Sequence, residues 1–292
     1  MNTEIKKIYK KAYAKVNLAL DVLRRRPDGY HDVKMIMQNL DIYDELEFQY
    51  EPSGDVEITM ETNKPEIPTD ERNLICKAIK MMLEEYNLSG KIHVKLVKNI
   101  PVEAGMAGGS TDCAATFHAV NELFDLGLTT EELMKLGVKI GADVPYCIMA
   151  KTALSEGIGE ILTPVKSLTD CYVLVVKPPV NVSTKMVYTN LKANELEKHP
   201  DVDGMIEALS SQDLKGVASR MENVLETVTT VLYPEIEVIK SEMKNMGALN
   251  AIMSGSGPTV FGIFDSKEKA DKAAMSIEEK KLSNEIFVTR PI

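Results

Sequence analysis

The sequence has little of the chemistry that marks metal proteins and disulfide-rich secreted proteins. It contains no tryptophan, four histidines and four cysteines among 292 residues. The cysteines are widely spaced, no CxxC or HExxH pattern occurs, and so neither a structural metal nor a disulfide framework is predicted. No apolar run approaches the ~20 residues that a bilayer requires, and the N-terminus lacks the apolar core of a signal peptide. These absences predict a reduced, cytoplasmic protein with no metal ligand set.

Positive charge is also scarce, because 34 Lys and Arg stand against 44 Asp and Glu, for a net charge of −10. This balance argues against nucleic acid or a membrane surface as the main partner, and an anionic substrate would need a local positive site. The length allows two domains, which we place at residues 1–160 and 161–292. Whether the chain is a monomer or a homodimer stays open.

The most informative segment is the glycine-rich run from Pro101 to Ala115. A strand-like stretch (Ile92–Leu96) precedes it, and a helix is predicted over Ser110–Leu126. Glycines let the backbone approach a ligand closely, and the start of the helix offers unpaired N–H groups to a phosphate. The run lacks the lysine of a Walker A loop and the GxGxxG of a dinucleotide fold. It predicts a nucleotide-phosphate loop, with a tight connection as the alternative.

Two charged residues are candidates for chemistry. Strict alternation over Ala12–Val22 predicts a half-buried strand that carries Lys15 and Asn17 side by side on its polar face. Asp143 lies in Gly141–Pro145, where Pro145 should hold Val144 extended and stiffen the segment. An aspartate there suits a general base for a hydroxyl nucleophile, and an ion pair with Lys15 would keep it ionised. The alternatives are a solvated lysine and an aspartate that caps a helix.

The remaining pattern predicts a mixture of helices and strands. Pro27–Gly29 is a turn signal, Thr129–Glu132 is a capping box for a helix that ends at Gly141, and Ser254–Pro258 suits a hairpin turn. Further strands are predicted at Met35–Leu40, Glu45–Tyr50, Val56–Met60 and Tyr172–Val176. Further helices are predicted at Arg72–Tyr86, Thr184–Asn190, Met205–Leu209 and Ala218–Val231.

Three segments together resemble the motifs of the GHMP kinase superfamily, in order and spacing: Ala14–Leu18, Pro101–Ala115 and Asn250–Thr259. The resemblance implies an α+β, two-domain GHMP kinase fold with an S5-like N-terminal domain, a ferredoxin-like C-terminal domain and the active site in the cleft between them. It also implies an ATP-dependent small-molecule kinase, with Mg²⁺ carried by the nucleotide. Further matches point to members that phosphorylate a cytidine diphosphate-linked polyol in isoprenoid synthesis: Arg26–His31, Gly141–Pro145, Gly157–Glu160 and Asn223–Glu226.

The resemblance assigns roles to individual residues. Lys15 and Asp143 become the catalytic pair, with Asp143 taking the hydroxyl proton. The residues implied for ATP binding are Pro101, Val102, Glu103, Ala104, Gly105, Met106, Ala107, Gly108, Gly109, Ser110, Thr111 and, on the adenine side, Asn73. Those implied for the substrate are Asn17, Tyr30, His31, Thr184 and Tyr188, with Tyr30 and His31 on the cytosine.

Some positions depart from the family pattern. Ala107 replaces a glycine of the loop, and its Cβ would be unfavourable by ~1 kcal/mol if the position needs a positive φ. Ile158 stands where an arginine is common and Val224 where an aspartate is common. The alternatives are another GHMP kinase, such as a homoserine or mevalonate kinase, and a GHMP-fold binding protein without turnover. The second alternative is disfavoured because both Lys15 and Asp143 are present.

Overall fold

Two long strands, β1 (Lys6–Arg25) and β2 (His31–Glu51), open the fold. The Pro27–Gly29 turn joins them, as predicted, and the Gly29 N–H donates to the carbonyl oxygen of Arg26 over 3.1 Å. The computed structural model describes residues 5–292. In the part described, no helix is both long and apolar enough to cross a membrane.

The chain divides into two units. Unit 1 consists of the segment through Ala14 together with Ile42–Ile100 and Ala107–Ala150. Unit 2 consists of Lys15–Asp41, Pro101–Met106 and Lys151–Ile292. Both β1 and β2 therefore contribute residues to each unit. The assignment of domains to residues 1–160 and 161–292 stays a prediction.

Unit 1 is built from a β-sheet and four helices. Its further elements are β3 (Val56–Thr62), α1 (Leu74–Glu85), β4 (Gly90–Val97), α2 (Gly108–Leu123), α3 (Thr130–Gly137) and α4 (Val144–Met149). Strand β4 pairs parallel with β3 and antiparallel with the second half of β2, where Phe48 faces Val94. The apolar stripe of α1 packs with α2 in one core, which includes Ile79, Phe117 and Phe48. This core fixes the start of α2, where the glycine-rich loop ends.

Unit 2 contains the remaining elements. The strands are β5 (Ala153–Gly157), β6 (Ile161–Pro164), β7 (Tyr172–Lys177), β8 (Glu222–Asn223), β9 (Asn250–Met253), β10 (Val260–Phe264) and β11 (Glu285–Thr289). The helices are α5 (Thr184–Asn190), α6 (Val202–Ser211), α7 (Leu214–Arg220), α8 (Glu226–Leu232), α9 (Glu235–Asn245) and α10 (Lys267–Glu279). Strand β8 pairs with β1 in parallel over two residues, and β5 pairs antiparallel with β2 and β6.

The ferredoxin-like prediction for the C-terminal half is confirmed. Strands β7, β9, β10 and β11 form an antiparallel sheet in the order β11-β7-β10-β9. Helices precede β9 and β11, which gives the βαββαβ order of that fold. Ser254–Pro258 is the predicted hairpin turn, because β9 and β10 pair directly on either side of it.

Several sequence predictions need correction. Strand β1 is not half-buried, because Lys15, Asn17 and Asp21 are 4%, 0% and 4% exposed. Polar partners replace water for these side chains, as when His199 Nδ1 lies 2.8 Å from Asp21 Oδ1. The strands predicted at Met35–Leu40 and Glu45–Tyr50 are one continuous strand, β2.

Two helix predictions were also wrong in extent. The capping box at Thr129 is present, but the helix α3 that it begins ends at Gly137 rather than Gly141. The single helix predicted over Ala218–Val231 is split into α7 and α8 by the short strand β8. Pairing of Glu222 with Ala19 of β1 interrupts the helix there, which is a tertiary contact that local periodicity does not report.

Candidate active site

The first half of the glycine-rich loop, Pro101–Met106, belongs to unit 2 and adopts an irregular backbone. Gly105 has a φ of +68°, and a Cβ at this position would lie 2.3 Å from the carbonyl oxygen of Ser254. The Ser254 hydroxyl also donates to the carbonyl oxygen of Gly105 over 3.0 Å. Only glycine fits such a close contact between two backbones, and the contact fixes this half of the loop against the β9–β10 hairpin turn.

The second half of the loop runs into α2, which begins at Gly108, two residues earlier than predicted. Among the described residues no side chain caps this end of the helix. The N–H groups of its first turn therefore suit a phosphate, which the dipole of a 16-residue helix also favours. The residues of the loop thus fit an ATP phosphate chain, although their assignment to ATP stays a prediction.

Ala107 precedes this helix in the left-handed conformation, with φ 58° and ψ 27°. Position 107 therefore does have a positive φ, and an alanine occupies a backbone conformation that favours glycine. The strain lies directly at the point where the loop becomes α2.

Replacing Ala107 with glycine is expected to raise the free energy of unfolding by about 0.5–1 kcal/mol. The relief of left-handed strain exceeds the added entropy of the unfolded chain. Urea denaturation measures the change. Ala150, with φ 52° and ψ 38° at the end of α4, is the matched control, and Ala150→Gly should gain a similar amount. A gain at Ala150 without one at Ala107 would contradict the assignment of strain to the loop.

A buried ionic cluster, which the sequence reading missed, lies beneath Gly108 in unit 1. The Lys98 ammonium contacts Asp44 Oδ2 and lies 2.7 Å from Asp112 Oδ2. A Cβ on Gly108 would come within 2.9 Å of Lys98 Nζ, so the loop rests directly on this ammonium. The sequence could have indicated this cluster, because charged residues lie within or next to apolar runs: Lys98 after β4 and Asp112 within the apolar stripe of α2.

Lys15 and Asn17 lie side by side on one face of β1, as predicted. Lys15 Nζ donates to Asn17 Oδ1 over 2.8 Å, and the Lys15 backbone N–H donates to the carbonyl oxygen of Met106 over 3.2 Å. The alternative of a solvated lysine is excluded by the burial of Lys15. The strand therefore holds the backbone of Lys15 next to the end of the loop's first half.

Asp143 lies in unit 1 directly before α4. The expectation of an extended Val144 was wrong, because Val144 is the first residue of the helix and Pro145 occupies its first turn, where no N–H is needed. Within residues 5–292 the Asp143 carboxylate makes no capping bond to α4, which removes the capping alternative. Gly137 would clash with Val144 and Ile148 if it carried a Cβ, so it lets α4, which begins directly after Asp143, pack closely on α3. The pairing of Lys15 with Asp143 stays a prediction.

His31 and Tyr188 meet in unit 2. Their ring centroids are 5.2 Å apart with an interplanar angle of 44°. His31 is 8% exposed, and in the described part of the chain its buried Nε2 has no hydrogen-bond partner. Burial lowers the pKa of His31, and Arg25 lowers it further, so the ring is neutral near pH 7. A neutral imidazole with an unsatisfied nitrogen is suited to hydrogen-bond a base edge.

The other two predicted substrate residues have more open positions. Tyr30 is 58% exposed, with its backbone held by Asp28 Oδ1, which accepts from the Tyr30 N–H at 3.1 Å. Thr184 is the first residue of α5, and its hydroxyl lies 2.8 Å from that of Ser256. This contact links α5 to the same hairpin turn that contacts Gly105.

Asn73 has a structural role at the start of α1. Its side-chain oxygen accepts from the Ile75 N–H over 2.9 Å, and its Nδ2 donates to the carbonyl oxygen of Pro68 over 2.8 Å. Its assignment to the adenine side stays a prediction. Across residues 5–292, no group of three or more His, Cys, Asp or Glu side chains could hold a metal ion.

Comparison with known proteins matches both halves of the chain to one family. The model of the GHMP kinases N terminal domain matches residues 73–151, and that of the GHMP kinases C terminal domain matches residues 205–282. A 4-diphosphocytidyl-2-C-methyl-D-erythritol kinase from Lachnoclostridium phytofermentans is 52% identical over 96% of this chain and 96% of its own length. One from Lachnospira eligens is 51% identical over 96% of each chain.

A crystal structure agrees with these relatives. That of a 4-(cytidine 5'-diphospho)-2C-methyl-D-erythritol kinase superposes with a TM-score of 0.81 at 28% identity, over 97% of this chain and 99% of the other. The α+β GHMP kinase fold and an ATP-dependent small-molecule kinase activity are thereby confirmed. This chain belongs to the GHMP kinase superfamily and, within it, to the family of the 4-diphosphocytidyl-2-C-methyl-D-erythritol kinases.

Proposed function

We propose that this chain transfers a phosphoryl group from ATP to the 2-hydroxyl of 4-diphosphocytidyl-2-C-methyl-D-erythritol, in the non-mevalonate synthesis of isoprenoid precursors. The observation that carries the substrate assignment is the buried, neutral His31 beside the Tyr188 ring, with Nε2 unsatisfied within the described chain. Such a nitrogen suits the hydrogen-bonding edge of cytosine, and neither homoserine nor mevalonate carries a base. The relatives of about 50% identity support the same choice.

The chemistry follows from the proposed roles. Mg-ATP supplies the phosphoryl group, and Pro101–Thr111 holds its phosphates. Asp143 accepts the proton of the substrate hydroxyl, while the ammonium of Lys15, positioned by Asn17 at 2.8 Å, stabilises negative charge that develops on the reacting oxygens. Phosphoryl transfer depends mainly on positioning and charge stabilisation, so few side chains suffice. We further propose that the nucleotide carries the Mg²⁺, that the enzyme acts in the cytoplasm, and that it is a monomer or a homodimer.

An ADP-release assay tests the proposal with Mg-ATP and three acceptors: 4-diphosphocytidyl-2-C-methyl-D-erythritol, homoserine and mevalonate. Turnover is expected with the cytidine substrate alone. Turnover with homoserine or mevalonate instead would support another GHMP kinase activity. Absence of turnover with all three, in a protein that binds ATP, would favour a binding protein without catalysis.

Tyr30→Ala is expected to raise the KM for the cytidine substrate about 5- to 150-fold, because loss of base–aromatic stacking costs ~1–3 kcal/mol. The KM for ATP should not change. Tyr9, which is 68% exposed in unit 1, provides the control, since Tyr9→Ala removes an exposed ring elsewhere. Steady-state kinetics with each substrate varied in turn gives both constants. An unchanged KM for the cytidine substrate would exclude Tyr30 from the pocket.

A further inference from the structure

Asn223 is the first residue of the Asn223–Glu226 motif. Its side chain is 3% exposed. Its Nδ2 donates to the carbonyl oxygens of Met253 and Gly255, both at 2.8 Å, and its Oδ1 accepts from the Leu225 N–H at 3.0 Å. One amide group therefore holds the backbone on both sides of Ser254. We propose that Asn223 is a positioning residue for the ATP phosphate loop and acts through Ser254 on Gly105.

The second step of the connection runs from Ser254 to Gly105. The Ser254 hydroxyl donates to the Gly105 carbonyl oxygen at 3.0 Å. A Cβ on Gly105 would meet the Ser254 carbonyl oxygen at 2.3 Å, and one on Gly255 would meet the Gly105 carbonyl oxygen at 3.1 Å. The two backbones are thus in direct contact, and the Ser254 hydroxyl adds a hydrogen bond to that contact. Closely packed groups transmit displacement rather than absorb it, so a shift of Met253–Gly255 shifts Gly105.

The third step reaches Lys15. Met106, the residue after Gly105, accepts the Lys15 backbone N–H through its carbonyl oxygen at 3.2 Å. All residues of the connection, from Asn223 to Lys15, belong to unit 2. Reacting groups must be held within fractions of an ångström for efficient transfer, and this connection holds the first half of the loop, Pro101–Met106. A second anchor supports it, because Glu226 Oε1 accepts the Met253 N–H at 2.6 Å.

The test replaces the amide by an isosteric carboxylate. Asn223→Asp keeps an acceptor for the Leu225 N–H and loses both donations to the carbonyl oxygens of Met253 and Gly255. We expect the Kd for ATP, measured by titration calorimetry, to rise at least tenfold, and kcat to fall at least tenfold. The KM for the cytidine substrate should rise less than the Kd for ATP, although Thr184 contacts the same turn through Ser256. A role in folding alone would not separate the nucleotide from the second substrate in this way.

The matched control is Gln38, a fully buried amide of the same unit. Its Nε2 donates to the carbonyl oxygens of Asn39 and Ile292 at 3.0 and 2.8 Å, and its Oε1 accepts the Leu168 N–H at 3.0 Å. Gln38→Glu therefore loses the same kinds of bonds away from the loop. It should lose stability as Asn223→Asp does, yet bind ATP within twofold of the parent protein.

Ser254→Ala tests the next link with less risk to folding. It is expected to raise the Kd for ATP about three- to tenfold, and adding Asn223→Asp should then produce less than the product of the two single effects. ATP binding within twofold of the parent in both single variants would overturn the proposal. The inference rests on the proposed kinase function, but the ATP titration needs no second substrate. It therefore still decides the role of Asn223 if the cytidine substrate proves wrong.

Discussion

Asp143→Asn is expected to lower kcat about a hundred- to ten-thousandfold, the range that a general base contributes, while the Kd for ATP changes by no more than about threefold. The amide keeps the shape of the carboxylate but cannot take the proton of the acceptor hydroxyl. Because the Asp143 carboxylate makes no capping bond to α4 in the described chain, the effect should not arise from a lost helix cap. Rapid-quench or steady-state kinetics at saturating ATP measures the loss.

Asp213→Asn is the matched control. Asp213 also precedes a helix, α7, but it is a true cap, since Asp213 Oδ1 accepts the Gly216 N–H at 3.0 Å. Asparagine caps as well as aspartate, so this variant should keep both its stability and its kcat. If Asp143→Asn retained the parent kcat at saturating ATP, Asp143 could not be the proton acceptor.

Lys15→Met should reduce kcat in the same direction. Combined with Asp143→Asn it should add little, because groups that act on one step give effects that are not additive. If the loss of kcat in the double variant equalled the product of the two single losses, Lys15 and Asp143 would act independently.

The sequence predicted elements best where local periodicity determines them. The helix predicted at Thr184–Asn190 has those bounds in the structure, and the strand predicted at Ile92–Leu96 lies inside β4. Strand β8 was missed because it is two residues long and exists only through pairing with β1. No local pattern carries that information.

Burial of polar residues was harder to predict than the elements that carry them. Alternation correctly placed Lys15 and Asn17 on one face of β1. It does not show whether that face meets water or buried polar groups. The family motifs predicted the glycine-rich loop and Asp143 as site residues without any geometry, and those assignments stay predictions. They gave no indication that Asn223 grips Met253 and Gly255, because a side-chain bond to a backbone 30 residues away leaves no trace in spacing.

Lys98→Met is expected to lower the free energy of unfolding by about 3–5 kcal/mol, the cost of removing one partner from a buried ion pair. The Asp44 and Asp112 side chains, 0% and 5% exposed, would lose the ammonium that both contact. Lys80 is the matched control in unit 1, since its pair with Glu71 at 2.7 Å is exposed. Lys80→Met should therefore cost at most about 1 kcal/mol. Equal losses in the two variants, by urea denaturation, would contradict a buried role for Lys98.

The same variant should show a pH dependence of definite sign. Burial raises the pKa of Asp112 to about 8, against the opposing effect of the Lys98 charge. A carboxyl group whose pKa is higher in the folded state than in the unfolded state binds more protons when folded, so the free energy of unfolding falls as pH rises from about 4 to about 8. Removing Lys98 raises the pKa of Asp112 further, so the two proteins differ above the parent's value of about 8, and the loss in Lys98→Met should be greater at pH 9.5 than at pH 6. Asp112→Asn removes the titrating group and should flatten this slope. A loss in Lys98→Met that is the same at both pH values would show that packing around the lysine stem, rather than its charge, stabilises the residues beneath Gly108.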